Sequence, residues 1–184
     1  MLKLSLHYKQ SGFSLVELMV GIAIMAILVT LGMPSYNAWI HNTRVRTGAE
    51  SIQNGLQLAR AEAVKHNTKV EFELDANSGW TVGCVVPVEP DCPSVIQQRT
   101  ASDGSSTDVT VVTIPADSDT VVFNNLGTVS TDATDPVPFT QVDLSSATLS
   151  VADSRPLRVT IGVGGNTRMC DPSTTLAASD PRKC

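Results

Sequence analysis

One carboxylate lies inside the longest apolar run of the chain. Glu17 is the fifth residue of the apolar segment, residues 13–33, which contains no other charged side chain. A charged group inside a bilayer costs roughly 2.5–3.5 kcal/mol on insertion scales, so it needs a counter-charge or a proton. The residues themselves leave three readings of Glu17: a partner cation neutralises it, it stays protonated, or it reaches the membrane interface.

Four cysteines, all beyond the apolar segment, provide the second candidate chemistry: Cys84, Cys92, Cys170 and Cys184. An even number beyond a membrane-targeting segment predicts disulfides formed in an oxidising compartment. Four cysteines allow three connectivities, and proximity along the chain favours Cys84 with Cys92 and Cys170 with Cys184. The second bond would hold the polar C-terminal tail. No CxxC pair occurs, so we do not predict zinc.

The sequence offers no other strong candidate for a catalytic or ligand-binding motif. The chain contains no phosphate-binding loop, nucleophile elbow or metal-spaced histidine and aspartate cluster. The glycine-rich stretch at residues 162–166, GVGGN, is typical of a tight turn. Four acids in turn-like segments are expected to be solvated rather than to bind calcium: Asp117, Asp119, Asp132 and Asp135. We therefore predict a protein that is not an enzyme and that holds no metal or cofactor.

Length and composition favour one domain with an appendage. The chain has 184 residues, 17% of them charged, and a formal net charge of −5. Such a balance excludes a disordered chain and is not the composition of a nucleic-acid-binding protein. Threonine, valine, serine and aspartate fill the second half, which indicates strands and turns.

The apolar segment has the length of a membrane span. Its 21 residues would extend roughly 30 Å as a helix, which matches the hydrocarbon core of a bilayer. Residues 1–12 carry Lys3 and Lys9 and no acid, which favours a cytoplasmic N-terminus. No small-x-small cleavage site follows the segment, whereas the interface aromatics Tyr36 and Trp39 do. We therefore expect the segment to remain in the protein.

A second, amphipathic helical pattern follows Pro34, which should kink the helix. It ends near His66 and Asn67, because asparagine tolerates the left-handed cap conformation. Apolar residues recur at spacings of 4, 3, 4, 3 and 4, which places them on one helical face. That face consists of Val45, Ala49, Ile52, Leu56, Ala59 and Ala63.

From Thr68 onwards the pattern changes to that of strands. Val70, Phe72 and Leu74 alternate with charged residues, and a turn at residues 75–79 leads to a return strand at 80–86. Further strands are predicted near residues 94–99, 109–114, 119–124, 127–131, 142–151 and 156–163. The fold class is therefore α+β: a long N-terminal helix packed on a mostly antiparallel sheet or pair of sheets.

The residues around the start of the apolar segment resemble a known processing signal. Residues 12–18, GFSLVEL, are similar to the class III signal of type IV pilins and type II secretion pseudopilins. The resemblance implies that a prepilin peptidase cleaves between Gly12 and Phe13 and that the new amine of Phe13 is methylated. Glu17 would then pair with the Phe13 amine of a neighbouring subunit and set the subunit register, because a desolvated pair is costly to break.

Three later stretches resemble the GspH/FimT-like branch of that family, minor pilins and pseudopilins: GLQLARAEAVKHNTKVEF, TVVFNNLGTVS and RPLRVTIGVGGNTRMCDP. Two disulfide loops favour this branch, since major pilins usually hold one. The resemblance implies a leader (residues 1–12), a transmembrane and filament-core helix (13–34), an amphipathic helix (35–67) and a β-rich head (68–184).

The function implied by the resemblance is that of a minor pilin, an assembly-initiation or tip subunit of a type IV pilus. The implied partners are other minor pilins or pseudopilins, the major pilin, a tip adhesin, the prepilin peptidase and the inner membrane. The chain would cross the inner membrane once, with the head in the periplasm, before it enters a pilus or pseudopilus. An H-type pseudopilin of type II secretion is the first alternative.

A DNA receptor for natural transformation is the second alternative. Some relatives bind DNA through a Gly-Arg-x-Arg stretch, and the corresponding place here is residues 165–168, GNTR, which lacks the first arginine. Removal of the leader would take the net charge from −5 to −7, which disfavours DNA as a partner. The candidate DNA contacts are the basic residues near the C-terminus: Arg155, Arg158, Arg168, Arg182 and Lys183.

Overall fold

The computed structural model describes residues 12–103, 105–177 and 179–184. Its one long helix, α1, runs from Leu15 to His66 and continues through Pro34. It ends as the sequence predicts: Asn67 adopts a left-handed conformation (φ 50°), and the Thr68 amide donates to the Ala63 carbonyl at 3.2 Å. The chain divides into two compact units, residues 1–37 and 38–184; the second is called the globular unit below.

In the first unit, every described residue from Gly12 to Tyr36 is exposed. An 18-residue window of α1 has a mean hydropathy of 2.4 and no buried residue, which makes the helix long and apolar enough to cross a membrane. A helix that is apolar on all sides needs an apolar environment, and the described residues of this chain do not provide one.

The globular unit contains two four-stranded antiparallel sheets. One has the strand order β3-β2-β1-β5 and the other β4-β6-β7-β8. The strands, in chain order, are β1 (Val70–Leu74), β2 (Trp80–Cys84), β3 (Gln97–Arg99), β4 (Val109–Ile114), β5 (Thr120–Phe123), β6 (Gln141–Ser146), β7 (Leu157–Ile161) and β8 (Thr167–Cys170).

Helix α1 packs on both sheets through its predicted apolar face. All six residues of that face are buried. At Gly55, a β-carbon would lie 2.7 Å from the Phe72 ring and 2.9 Å from the Trp80 ring, both in the first sheet. At Gly48, it would lie 3.2 Å from Leu144 in the second sheet. The two glycines therefore allow the helix backbone to approach the sheets closely.

Aromatic side chains fill the centre of this core. The Phe72 and Trp80 rings lie 5.9 Å apart, and Phe139 contacts Phe72 edge-on at 6.2 Å. The Trp80 indole donates its Nε1 hydrogen to the Ser51 hydroxyl of α1 at 2.9 Å, so the buried polar atom is satisfied.

One strand prediction is wrong and a second extends too far. Residues 127–131 do not form a strand; Val129 makes only an isolated bridge to Phe123. Gly127 is left-handed (φ 74°) and the Asn124 side chain accepts from the Thr128 amide, so local turn bonds replace a ladder. The strand predicted at 142–151 ends at Ser146, because the chain turns there.

One strand was missed. Strand β8 (Thr167–Cys170) pairs with β7 at the edge of the second sheet. A parallel bridge between Asp171 and Lys183 and a disulfide between Cys170 and Cys184 then hold the tail beside it. Its sequence, TRMC, has no apolar alternation, so tertiary pairing decides its conformation.

Candidate functional site

The start of the apolar segment presents an acid in the first turn of a helix. Helix α1 begins at Leu15, and the Leu18 amide donates to the Ser14 carbonyl at 3.1 Å. Glu17 lies in this turn, where the partial positive charge of the helix N-terminus favours a carboxylate. Phe13 is 84% exposed, and Glu17 makes no ion pair with any described residue. The acid is therefore available to a cation from outside the described chain.

The exposed face of the apolar segment is continuous. Fourteen large hydrophobic side chains of residues 13–33 are exposed, which far exceeds the scattered apolar residues of an ordinary surface. They are Phe13, Leu15, Val16, Leu18, Met19, Val20, Ile22, Ile24, Met25, Ile27, Leu28, Val29, Leu31 and Met33. A surface of this kind binds lipid or neighbouring helices.

Two of the basic residues proposed for DNA contact are already neutralised. Arg158 on β7 makes two hydrogen bonds, 2.6 and 2.7 Å long, to the two carboxylate oxygens of Asp143 on β6, which raise its pKa. Arg182 pairs with Asp180 at 2.7 Å, and this contact lowers the pKa of the Asp180 carboxyl to about 2. Both guanidinium groups would have to leave a carboxylate to bind phosphate.

The remaining basic residues have different surroundings. Arg168 donates to the Lys183 carbonyl at 3.1 Å, and the Lys183 ammonium donates to the Leu176 carbonyl at 3.2 Å, so both hold the tail in place. Arg155 is exposed, and its guanidinium has no hydrogen-bond or ion-pair partner among the described residues. The five residues therefore lie just before β7, on β7, on β8 and in the tail, and among the described contacts only the Arg155 guanidinium is uncommitted.

The four acids predicted in turn-like segments form ion pairs or lie in turns. The Lys69 ammonium lies 2.9 Å from Asp132 and 2.8 Å from Asp135. Its hydrogen bond, together with those from the Thr134 amide and hydroxyl, lowers the pKa of Asp132 to about 2. Asp117 adopts a left-handed turn conformation, and the Asp119 carbonyl accepts from the Leu74 amide. No group of three potential metal ligands occurs in residues 12–103, 105–177 and 179–184.

The GVGGN stretch is a packed turn. The Gly162 amide donates to the Asn166 carbonyl at 2.9 Å, and Gly165 is left-handed (φ 75°). A β-carbon at Gly165 would lie 2.2 Å from the Gly127 carbonyl oxygen, so this turn packs directly against the turn after β5. Close backbone approach explains the glycine here.

One feature has no signal in the sequence. A cleft of about 590 Å³ lies between the first turns of α1 in the globular unit, strands β7 and β8, and the tail. Its lining includes Trp39, Arg46, Arg155, Leu157, Met169 and Arg182. These residues come from four distant parts of the chain, so only the fold reveals that three arginines and an aromatic ring share one cleft.

The two cysteine pairs differ in what they close. Cys84 and Cys92 form a disulfide eight residues apart, which closes a short loop after β2. Cys170 and Cys184 form the other, fourteen residues apart, which anchors the tail. All four cysteines are thus bonded, and none is a free thiol.

Comparisons with known proteins agree with this architecture. Residues 7–33 match the prokaryotic N-terminal methylation motif, and residues 48–165, nearly two thirds of the chain, match the family of the type II transport protein GspH. The type IV major fimbrial protein FimA of Dichelobacter nodosus is 39% identical over 70 residues, which are 38% of this chain and 42% of that protein. The chain thus spans about two fifths of the length of this relative.

Two solved structures are similar at low identity. The type IV minor pilin FimU of Pseudomonas aeruginosa is 19% identical with a TM-score of 0.48, and the match covers 70% of this chain and 92% of that one. Escherichia coli GspH is 18% identical with a TM-score of 0.45, covering 74% and 94%. With the methylation motif at its start and the GspH match over its globular unit, the chain belongs to the GspH family of pilins and pseudopilins, whose members are structural subunits.

Proposed function

We propose that this chain is a minor pilin that initiates or caps a type IV pilus together with other minor pilins, the major pilin and a tip adhesin. A prepilin peptidase hydrolyses the bond between Gly12 and Phe13 and leaves an amine on Phe13, which is methylated. The apolar segment holds the chain once across the inner membrane, with the N-terminus cytoplasmic and the globular unit periplasmic, until the filament takes it up.

The observation that carries the proposal is the exposed apolar segment with one acid and no counter-charge among the described residues. Fourteen exposed hydrophobic side chains and Glu17 share the same stretch of α1. A lipid bilayer covers the hydrophobic side chains, but placing the charged Glu17 carboxylate in it costs free energy. A bundle of neighbouring helices covers both, provided that a cation lies opposite Glu17. The processed amine of another subunit supplies that cation.

An H-type pseudopilin of the type II secretion system is the second candidate. The match of residues 48–165 to the type II transport protein GspH favours it directly. The pilus and the pseudopilus would both use cleavage after Gly12, the same apolar segment and Glu17. The genes beside this one separate the two: further minor pilins with an adhesin support the pilus, and a secretion operon supports the pseudopilus.

A DNA receptor has less support. Arg158 and Arg182 are paired with acids, and Arg168 and Lys183 bind carbonyls of the tail. A strong salt-dependent affinity needs several uncommitted cations. We therefore expect no electrophoretic shift of DNA by the protein at low salt.

The proposal is tested by separating processing from assembly. We expect Gly12→Ala to leave uncleaved precursor in the inner membrane. Glu17→Ala and Glu17→Gln should be cleaved normally, yet enter filaments much less than the parent, because neither offers a counter-charge to the amine. Immunoblots of membrane and sheared-filament fractions measure both steps, and mass spectrometry identifies the new N-terminus.

The matched control is Glu73→Ala, which removes an exposed acid from strand β1 instead. It should be cleaved and incorporated like the parent chain. Normal incorporation of Glu17→Ala would refute the pairing. Native protein that retains residues 1–12 would refute the whole assignment.

A further inference from the structure

Strand β4 is the sheet edge of the described chain that is both apolar and uncovered. Its six residues, VTVVTI, carry no charge, and Val112 and Ile114 are 54% and 46% exposed. No strand and no isolated bridge of the described residues pairs with its outer side. An uncovered apolar edge strand is a template on which a strand of another chain can pair.

The other three sheet edges are protected. Strand β3 has only three residues, QQR, all of them polar or charged. The segment after β5 covers that strand, because the Ser130 amide donates to the Val122 carbonyl at 2.8 Å. The tail lies beside the end of β8, where the Asp171 amide donates to the Arg182 carbonyl at 2.7 Å. Short, charged edges and covering segments are ordinary ways to prevent pairing, and β4 has neither.

The register of β4 places unpaired backbone groups on this edge. At the start of the ladder between β4 and β6, the Ala147 amide donates to the Asp108 carbonyl at 2.9 Å. In an antiparallel ladder, every second residue exchanges its hydrogen bonds with the partner strand. Residues 110, 112 and 114 therefore bond to β6, and the N–H and C=O groups of Val111 and Thr113 point away from it. No turn or loop hydrogen bond of the described residues uses these groups.

A groove of about 430 Å³ lies beside the same edge. Val111 and Thr113 of β4 line one side of it. Leu74, at the end of β1, and the turn that follows line the other side, together with Asp119. A strand added to β4 would direct every second side chain towards this groove, because successive side chains of a strand point to opposite faces.

The groove is negatively charged. Asp75 and Asp119 line it, and each accepts a hydrogen bond from a neutral threonine hydroxyl, 3.0 and 2.9 Å long. Neither acid makes an ion pair with a described residue, and the described lining contains no lysine, arginine or histidine. The neighbouring residue Glu73 of β1 is another exposed acid, and the Arg99 guanidinium donates to the Asp103 carbonyl instead. The charge of the groove therefore favours a cation.

We propose that β4 receives an extended, basic segment of a different protein chain as the fifth strand of its sheet. The main chain of the segment bonds to the outward N–H and C=O groups of Val111 and Thr113. A lysine or arginine of the segment enters the groove and meets Asp75 or Asp119. Strand addition of this kind takes its affinity from the main-chain hydrogen bonds and its specificity from alternate side chains.

A second copy of this chain does not fit the edge. Its own β4 has no basic side chain, and pairing of two β4 edges would bring a second set of the groove acids, Asp75 and Asp119, towards the first. Juxtaposed like charges suppress such a pairing. A different chain is also the partner that an initiating or capping subunit needs.

This inference goes beyond the function proposed above, because it uses neither the apolar segment nor Glu17. The two can fail separately. The Glu17 variants measure processing and incorporation, whereas strand addition is measured on the globular unit of the unaltered chain. Normal processing and incorporation without strand addition would overturn only the present inference.

The test uses a synthetic peptide, acetyl-TVTKTVT-amide, which carries β-branched side chains and one lysine. It is titrated to millimolar concentration into the full-length chain in detergent micelles, at one chain per micelle, and amide hydrogen exchange is followed by NMR. We expect the peptide to slow the exchange of the Val111 and Thr113 amides at least about tenfold, because both amides become hydrogen-bonded. The amides of β3, the other edge without a covering segment, should exchange as before.

Backbone changes test the geometry of the added strand. One N-methylated peptide carries its methyl groups on the threonine amides and a second carries them on the valine and lysine amides. Only one of these sets faces β4, so only one peptide should lose binding. On the protein, Thr113→Pro removes an outward donor at an edge position that tolerates proline and should weaken binding about tenfold. Thr113→Val keeps the donor and should bind like the parent.

Charge changes test the chemistry of the partner. The peptide acetyl-TVTETVT-amide should bind about tenfold more weakly than the lysine peptide, because its glutamate meets the groove acids. Replacing both Asp75 and Asp119 by asparagine keeps acceptors for the threonine hydroxyls and should remove this preference. The matched control replaces two exposed acids of the Cys84–Cys92 loop, Glu89→Gln with Asp91→Asn, and should keep the preference.

Three outcomes would overturn the inference. The first is unchanged exchange of the Val111 and Thr113 amides at millimolar peptide, or slowing at another edge in their place. The second is equal binding by the two N-methylated peptides, or by the two Thr113 variants. The third is exchange at these amides that slows, without any peptide, as the concentration of the chain rises, since a second copy would then occupy the edge.

Discussion

The two halves of helix α1 have opposite relations to the rest of the chain. From Leu15 to Tyr36 every residue is exposed, whereas the half inside the globular unit, residues 38–66, buries nine residues. The same helical backbone therefore lies in two different environments, one along each half. The second half is completed by its own sheets, and the first half can be completed only by lipid or by other subunits.

The difference lies in the distribution of apolar residues and not in helix propensity. In the second half, the apolar positions recur every three or four residues and leave a polar face for water. In the first half, apolar residues surround the helix, so no single packing partner can cover them. Most of the stability of a helix comes from tertiary packing, and the first half obtains none from the described chain.

The largest predicted effect is confined to the globular unit, on which the second half of α1 packs. Phe72→Ala should destabilise the globular unit by about 3–5 kcal/mol, because Phe72 is fully buried against Trp80 and Phe139. Ile24→Ala removes an apolar side chain that is 54% exposed, and the unfolding of the globular unit should not change. Denaturant unfolding of the full-length chain in micelles, followed by tryptophan fluorescence, measures both. Equal losses would show that the two units unfold together.

The second prediction concerns the tail. Replacing Cys170 and Cys184 by serine opens a loop of about 15 residues, which should cost about 3 kcal/mol in the chain-entropy model. Hydrogen exchange should rise in the described residues of the tail and in strand β8, and hardly at all in strand β1. The matched control replaces Cys84 and Cys92, which should loosen residues 84–92 and leave the tail protected. Unchanged protection of the tail in the first variant would contradict the prediction.

The third prediction uses matched glycines. Gly55→Ala places a methyl group within 2.7–2.9 Å of the Phe72 and Trp80 rings, at an overpacking cost of about 1–3 kcal/mol. The higher helix propensity of alanine offsets up to about 1 kcal/mol of that cost, so a net loss of about 1 kcal/mol is expected.

The control for this prediction is Gly32→Ala. A β-carbon at Gly32 meets no atom within 4 Å, so the stability of the globular unit should stay the same. Chemical denaturation of the two variants, side by side, makes the comparison. If the Gly55→Ala chain is as stable as the parent, the Phe72 and Trp80 rings can move aside without a cost in stability.

The features predicted correctly from the sequence are those with a strong local pattern. The apolar face from Val45 to Ala63 follows the helical period, and all of it is buried. The alternation of Val70, Phe72 and Leu74 corresponds to strand β1. In both regions one face is buried and the other is exposed to solvent. The spacing of the apolar residues therefore follows the period of the helix or strand directly.

The features that escaped prediction depend on distant contacts. Strand β8 is short and polar, and it forms because β7 and the disulfide-bound tail hold it. The residues of the cleft, Trp39, Arg155 and Arg182 among them, are brought together only by the fold. Nor does the sequence show that Asp143 and Asp180 neutralise Arg158 and Arg182. Pairing across strands leaves no local pattern in one sequence.

The smallest effect we predict is a pH dependence in the globular unit. Hydrogen bonds, the largest from Lys69 and two more from Thr134, lower the pKa of Asp132 to about 2 from an ordinary value of 3.8. A carboxyl with a lowered pKa in the folded state stabilises the fold above about pH 3.8, and this contribution is lost as the pH falls towards 2. The parent chain should therefore lose stability between pH 4 and pH 2.

Lys69→Met removes the ammonium group from Asp132 and from its second partner, Asp135. Without the ammonium group, the pKa of Asp132 should rise towards its ordinary value but stay below it, because the Thr134 amide and hydroxyl still donate to the carboxylate. The stability difference between the parent and the variant should therefore be largest near pH 5 and shrink towards pH 2. Asp180, whose pKa is also about 2, is unchanged in both chains, so its contribution cancels. The Asp132 side chain is 48% exposed, so salt should weaken the effect. A difference that is constant from pH 5 to pH 2 would mean that Lys69 acts by packing alone.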